Sequence, residues 1–191
     1  LRINRLSQLQ DARSCAAVGF DQVSFSLERG DDRKLSASLV WNIVQWLSGP
    51  EIVLDLNRHS LEELEAVKKM FQWAAVTLPA ADWDRSLAVD GPVILRTDAS
   101  LTLADLQLLQ EQAGDRALQF ELTLQDPAQA QAYQPLLPQL WLHFNSPEAL
   151  ETYMRSQGEA PRGFAFGHEI RDPEEPEFLD YARLDDLLEL L

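Results

Sequence analysis

The feature that most constrains this chain is an alternation. Eight short apolar runs of extended character are separated by helical or turn-rich stretches: Leu1–Ile3, Gln22–Phe25, Ile52–Leu56, Ala75–Leu78, Val93–Arg96, Leu118–Leu122, Leu140–Phe144 and Gly163–Phe166. Between most of them apolar residues recur at helical spacing. Ser7 is placed to cap a helix through Val18 that Gly19 stops, and Leu39, Val40, Ile43, Val44 and Leu47 form one stripe between Ser36 and the Ser48-Gly49-Pro50 break. Ser60 and Glu63 read as a capping box, Leu101 to Ala113 as a helix stopped by Gly114, and Ser146-Pro147 as the opening of another that Gly158 ends. A last helical pattern closes the chain from Ala182. Two stretches are weaker: Asp126 to Leu137 is interrupted by Pro135 and followed by Pro138, and Pro79 to Pro92 reads as a single turn or an irregular loop.

Parallel strands need crossovers, and helices are the usual crossovers. Eight such units are what a (β/α)8 barrel requires, here in a small and partly degenerate form, since 191 residues fall below the usual ~250. An open doubly wound sheet is the alternative, although no G-x-G-x-x-G follows any run. No linker or low-complexity tract divides the sequence, so residues 1–191 are expected to form one domain.

Charge narrows the partners. Sixteen Lys and Arg against 31 Asp and Glu leave a formal charge of -15, a field that repels phosphate backbones and anionic lipid, so neither nucleic acid nor a membrane surface is expected. A small anionic or phosphorylated ligand stays open, because a local Arg or a helix N-terminus overrides the global field. The single Cys15 forms no internal disulfide, and no Cys/His spacing suits a metal. With no signal-peptide pattern and no apolar run of about 20 residues, a reducing cytoplasm is expected. The oligomeric state is not legible.

The order of segments resembles phosphoribosylanthranilate isomerase, the small (β/α)8 barrel of tryptophan biosynthesis. That family opens K-I-C-G, then E-D-A, G-A-D and G-F-V-F. Here Arg2-Ile3-Asn4-Arg5, Gln10-Asp11-Ala12, Gly19-Phe20-Asp21 and Val23-Ser24-Phe25 stand in those places. Its S-P-R after the second strand is matched by Arg33. Its late A-G-G-L-x-P-E-N-V is matched by Ser146-Pro147-Glu148, with His143-Phe144 where glycines would lie. Its final S-G-V-E is followed in course by Gly167-His168-Glu169, the Pro173/Pro176 loop and Asp180.

The resemblance implies an Amadori rearrangement, in which a carboxylic acid protonates a ribose ring oxygen and a thiolate takes a carbon-bound proton. It needs no cofactor. Asn4 stands in the thiol's place, and an amide has no usable pKa near neutrality, so Asn4 cannot be that base. Cys15 lies within the first helix and reads as a small buried residue. Glu121 stands near the acid's place; the other readings are a polar residue at a strand end, or one that points outward between Phe120 and Leu122. Arg33 matches an arginine that pairs with the anthranilate carboxylate, or else is a solvated loop Arg paired with Asp31 or Asp32.

In the family, glycine-rich loops after the sixth to eighth strands hold the substrate phosphate. Here "LQDPAQAQAYQ" replaces one loop, Phe144 is expected to project into the next, and Gly167 persists near the last. Asn145, Gly167, His143 and His168 are therefore the remaining substrate-binding candidates, with both histidines near strand ends as an acid/base couple, a pH-sensitive pair or ordinary structural residues. These losses make weak or absent isomerase activity the expectation. A non-catalytic barrel that binds a small molecule or a protein is the alternative.

Overall fold

The computed structural model describes residues 1–28, 30–31, 34–57, 64, 67–156, 160–175 and 178–191, the His168 side chain excepted. Eight strands follow one another around a closed barrel in chain order. They are β1 (Arg2–Ile3), β2 (Gln22–Ser26), β3 (Glu51–Asp55), β4 (Ala75–Pro79), β5 (Val93–Asp98), β6 (Leu118–Leu124), β7 (Leu140–Phe144) and β8 (Gly163–Phe166). The barrel expectation holds, and the open sheet is excluded. The chain falls into two compact units, Leu1–Leu95 and Arg96–Leu191.

In the first unit, β1, β2, β3 and β4 pair in parallel, with Arg2 opposite Gln22, Ser26 opposite Asp55, and Asp55 opposite Thr77. One face of these strands is apolar: Ile3, Val23, Phe25, Ile52, Leu54, Val76 and Leu78 are all buried. The alternate positions carry Arg2, Gln22, Ser24, Ser26, Asp55 and Thr77, also buried. Strands covered on both sides usually read as continuous apolar runs. Here the second face mixes these polar residues, several of them hydrogen-bonded to one another, with Val53 and Ala75.

The second unit repeats the pattern. β6, β7 and β8 pair in parallel, with Glu121 opposite Trp141, Thr123 opposite His143, and Trp141 opposite Gly163. Phe144 and Phe164 turn away from that row and meet Tyr153 on the helix side, at ring separations of 5.3 and 5.9 Å. Burial of each such ring contributes roughly 1.5–3 kcal/mol.

Six helices are described: α1 (Leu9–Ala17), α2 (Ala37–Val44), α3 (Trp83–Ser86), α4 (Leu103–Ala113), α5 (Pro147–Arg155) and α6 (Tyr181–Leu188). Ser36 caps α2 by accepting from the Leu39 N–H at 3.3 Å, and Ser146 caps α5 by accepting from Ala149 at 3.2 Å. Ser7 does not cap α1. The cap position falls one residue later, on Gln8, whose carbonyl accepts from the Ala12 N–H at 3.2 Å. The Ser60/Glu63 box and Gly158 lie outside the described residues.

Pro127–Gln139 is a 13-residue 3-10 segment rather than an α-helix. Pro135 and Pro138 have no N–H to give, and their rings clash with the preceding α-helical turn, so the chain keeps the narrower coil. Trp41 stacks on Phe71, which meets Trp73 edge-on. Trp46, by contrast, is 71% exposed.

Candidate functional site

The first unit presents its candidate residues at the end of β1. Asn4 follows Ile3 directly and is buried. Arg5 then takes φ = 58°, the one positive φ outside glycine among the described residues. Non-glycine residues seldom adopt that region, and bulky ones do so at a cost. The resembling family has glycine at this place, so the conformation fits the matching of Arg2-Ile3-Asn4-Arg5 to K-I-C-G.

Two sets of bonds hold Arg5 in that conformation. Its N–H donates to Ser24 Oγ at 2.9 Å. Its guanidinium donates to both Glu28 carboxylate oxygens at 3.2 Å and pairs with Asp31 at 3.5 Å. The side chain is therefore committed to acids of the β2–α2 connection.

Below it runs a buried network. Ser24 Oγ donates to Asp55 Oδ2. Arg2 donates to Thr77 Oγ1 at 2.6 Å and lies 3.5 Å from Asp55, with both side chains wholly buried. Cys15 is buried on α1 and stands at no strand end. At the end of β1 the chain thus offers an amide and a tethered guanidinium, neither of which takes up a proton near neutrality.

The second unit carries a different cluster. Glu121 is 1% exposed and shares its face of β6 with Thr123, not with Phe120 and Leu122. The reading in which it points outward between those two is therefore corrected: strand alternation turns it to the polar row. His143, on the same row of β7, has Nε2 2.9 Å from Glu169 Oε2 and Nδ1 3.4 Å from Thr123 Oγ1. The Gly167 N–H donates to Glu169 Oε1 at 2.7 Å. Arg183 of α6 donates to the Glu169 carbonyl at 2.8 Å.

Burial alone would lower the pKa of His143, but the hydrogen bond and charge of Glu169, helped by Glu121, outweigh it and raise the pKa above 6.5, with Arg96 opposing. Burial likewise pushes Glu169 up, and the bond and charge of His143 carry it below 4.5. The arrangement is an imidazole–carboxylate pair in which the carboxylate also accepts from a backbone N–H.

Several expectations are redirected. Phe144 does not project into a ligand loop, because it lies on the opposite face from His143 and packs on Tyr153. The described partners of His143 are Glu169 and Thr123, and the His168 side chain of the expected couple lies outside the described part of the chain. Arg33, the expected carboxylate-binding residue, and His59 lie outside the described residues. Asn145 is exposed just past β7, and Gly167 is buried. Arg2, Ser24, Asp55, Thr77 and Thr123 were not candidates from sequence. Their polar character at alternate strand positions, as in Gln22-Val23-Ser24-Phe25-Ser26, is the signal that marks them. Among the described residues, no group of three His, Cys, Asp or Glu is placed to hold a metal ion, and no helix is long and apolar enough to cross a membrane.

No protein-family model matches the sequence, and no curated protein matches it. Solved structures do match. Phosphoribosyl anthranilate isomerase from Thermus thermophilus superposes with a TM-score of 0.76 at 18% identity, covering 99% of this chain and 96% of that one. The N-(5'-phosphoribosyl)anthranilate isomerase from Pyrococcus furiosus superposes at 0.73 with 10% identity, covering 99% and 96%. A phosphoribosyl anthranilate isomerase in complex with reduced 1-(o-carboxyphenylamino)-1-deoxyribulose 5-phosphate superposes at 0.75 with 17% identity, covering 98% and 95%. At such identities the likeness is one of fold: over nearly its whole length this chain is a (β/α)8 barrel like those isomerases.

Proposed function

We propose that this chain is a divergent barrel of the phosphoribosylanthranilate isomerase type whose isomerase activity is weak or lost. One observation carries the reading. The end of β1, where the resemblance calls for a thiol followed by glycine, holds buried Asn4 and an Arg5 tied to Glu28 and Asp31. Proton abstraction from carbon needs a group whose pKa lies near the working pH, and neither an amide nor a guanidinium supplies one. Glu121 supplies a buried carboxyl group at the middle of β6, short of the strand end where the resemblance places the acid.

The long 3-10 segment replaces a glycine-rich loop, and the Gly167 N–H is already engaged by Glu169. Each charge-assisted hydrogen bond withheld from a substrate phosphate lowers affinity by on the order of 1.5–3 kcal/mol. A reducing cytoplasm suits the single Cys15.

The test is a turnover assay with N-(5'-phosphoribosyl)anthranilate on the purified chain and on Asn4→Cys. Turnover that is absent or far below an enzymatic rate is expected from the unaltered chain; turnover at an enzymatic rate overturns the reading. A gain in Asn4→Cys would locate the loss at β1. Complementation of an isomerase-deficient strain asks the same question in cells, where growth carried by the unaltered chain would count against the reading.

A further inference from the structure

The 3-10 segment Pro127–Gln139 shapes a groove on the second unit. A 3-10 coil turns once every three residues, so side chains three apart stand in a straight row. Ala128, Gln131, Gln134 and Leu137 make such a row, with Pro127 and Ala130 beside it. In an α-helix the same spacing would carry the row sideways around the coil. Across from it stand Thr152, Tyr153 and Ser156, which share one face of α5 and its end. Between the two lies a cavity of about 370 Å³, open to solvent and within the usual size of small-molecule sites.

The walls are chemically one-sided. The floor is apolar, with Ala130, Leu137 and Tyr153 buried. The rim accepts hydrogen bonds more readily than it donates them. The Thr152 hydroxyl donates to the Glu148 carbonyl at 2.8 Å and the Ser156 hydroxyl to the Tyr153 carbonyl at 2.7 Å, so each offers the groove lone pairs only. Asp126 stands exposed at the start of the row, and one of its carboxylate oxygens accepts from the Ala128 N–H at 2.9 Å. The Gln131 and Gln134 amides each bring an acceptor as well as a donor. No Lys, Arg or His is among the described residues that line the cavity. Arg155, the one basic residue of α5, pairs with Glu151.

We infer that the groove between the 3-10 segment and α5 binds a small planar cation, of the aromatic amidinium or aminoheterocycle class, with its ring on the apolar floor and its N–H groups directed at Asp126 and the rim oxygens. A flat apolar body suits the floor, and N–H donors suit an acceptor-rich rim. Positive charge suits both Asp126 and the field of a chain that carries -15. The same charges turn away phosphorylated and carboxylate ligands. The site stands whether or not the chain isomerises anything, since its preference is opposite in sign to that for a phosphorylated substrate.

The experiment is titration of the full chain with benzamidine hydrochloride, benzamide or sodium benzoate, three flat molecules of similar shape and different charge. Binding is read by isothermal calorimetry and ligand-observed NMR at constant ionic strength near neutral pH. Saturable one-to-one binding of benzamidine at millimolar concentration or below is expected, with benzamide weaker and benzoate not bound. Asp126→Asn keeps the side-chain oxygen that caps the segment and should weaken benzamidine binding by about two- to fivefold, the value of an exposed charge pair. Ala128→Trp keeps every charge and fills the groove, so it should abolish binding. Gln131→Trp fills the groove one turn further on and serves where Ala128→Trp does not fold. Loss of binding in a filled groove separates the site from the general attraction of a cation to an acidic surface. No saturable binding of benzamidine, benzoate bound as tightly, affinity unchanged in Asp126→Asn, or affinity unchanged in a folded Trp variant overturns the inference.

Discussion

Gly163 lies against the face of Trp141, its partner across β7 and β8, so closely that a Cβ at 163 would come within 2.6 Å of Cζ3 on the indole. The ring cannot swing aside without loss. Its Nε1 donates to Gln119 Oε1 at 2.9 Å, and the Arg162 guanidinium lies 5.7 Å from its centroid. Gly163→Ala is therefore expected to destabilise by about 1–3 kcal/mol, the usual cost of overpacking. Pairing it with Trp141→Leu should recover part of that cost in a double-mutant cycle measured by urea denaturation. Simple additivity would show that the two do not press on each other.

The buried pair of Arg2 and Asp55 makes a second case. Asp55 also accepts from Ser24, and Arg2 donates to Thr77, so removing one partner strands a charge in the polar layer of the first unit. Asp55→Ala is expected to cost about 3–5 kcal/mol, whereas replacing both with leucine should cost distinctly less, because no lone charge is left buried. Equal losses in the single and double variants, read from denaturation midpoints, would remove the electrostatic explanation.

Arg5 offers a test of backbone strain. At φ = 58° glycine is at ease, while a β-branched residue is not. Arg5→Gly gives up the Glu28 and Asp31 contacts but relieves strain, so its stability should stay within about 1 kcal/mol of the parent. Arg5→Val loses the contacts and keeps the strain, and should fall by about 2 kcal/mol or more. Calorimetry that ranks Val above Gly would contradict this account.

The His143–Glu169 pair predicts a pH profile. The pKa of His143 is raised from 6.5, so its contribution is complete below that value and fades as pH rises through the folded pKa. The pKa of Glu169 is lowered from 4.5, so its contribution is complete above that value and fades as pH falls through the folded pKa. The pair therefore stabilises most between about pH 4.5 and 6.5. The stability advantage of the unaltered chain over His143→Gln should be larger at pH 5.5 than at pH 9, measured as the difference in urea midpoints. An advantage independent of pH would show that the ring serves by shape alone.

Much of the architecture is legible in the residues alone. Each of the eight apolar runs forms a strand with ends shifted by at most two residues, because a run bounded by Gly, Pro or a capping residue has few other solutions. Caps at Ser36 and Ser146 are equally readable, since a cap is a local bond between neighbours in sequence. The failures are also physical. The two prolines turn an expected helix into the 3-10 segment, and Phe144, placed in a ligand loop by the family resemblance, faces α5 because strand alternation turns it there.

By itself, then, the sequence determined the order of elements, the count of strands and the lack of a thiol at the end of β1. These follow from local periodicity and residue chemistry. Only the tertiary structure decided which polar residues meet: Arg2 with Asp55 across 53 positions, His143 with Glu169 across 26, and the Gly167 N–H with a carboxylate of its own chain. Strand register and face place Arg2, Asp55 and His143, and a shift of one residue would turn each of these three side chains to the other side of the sheet.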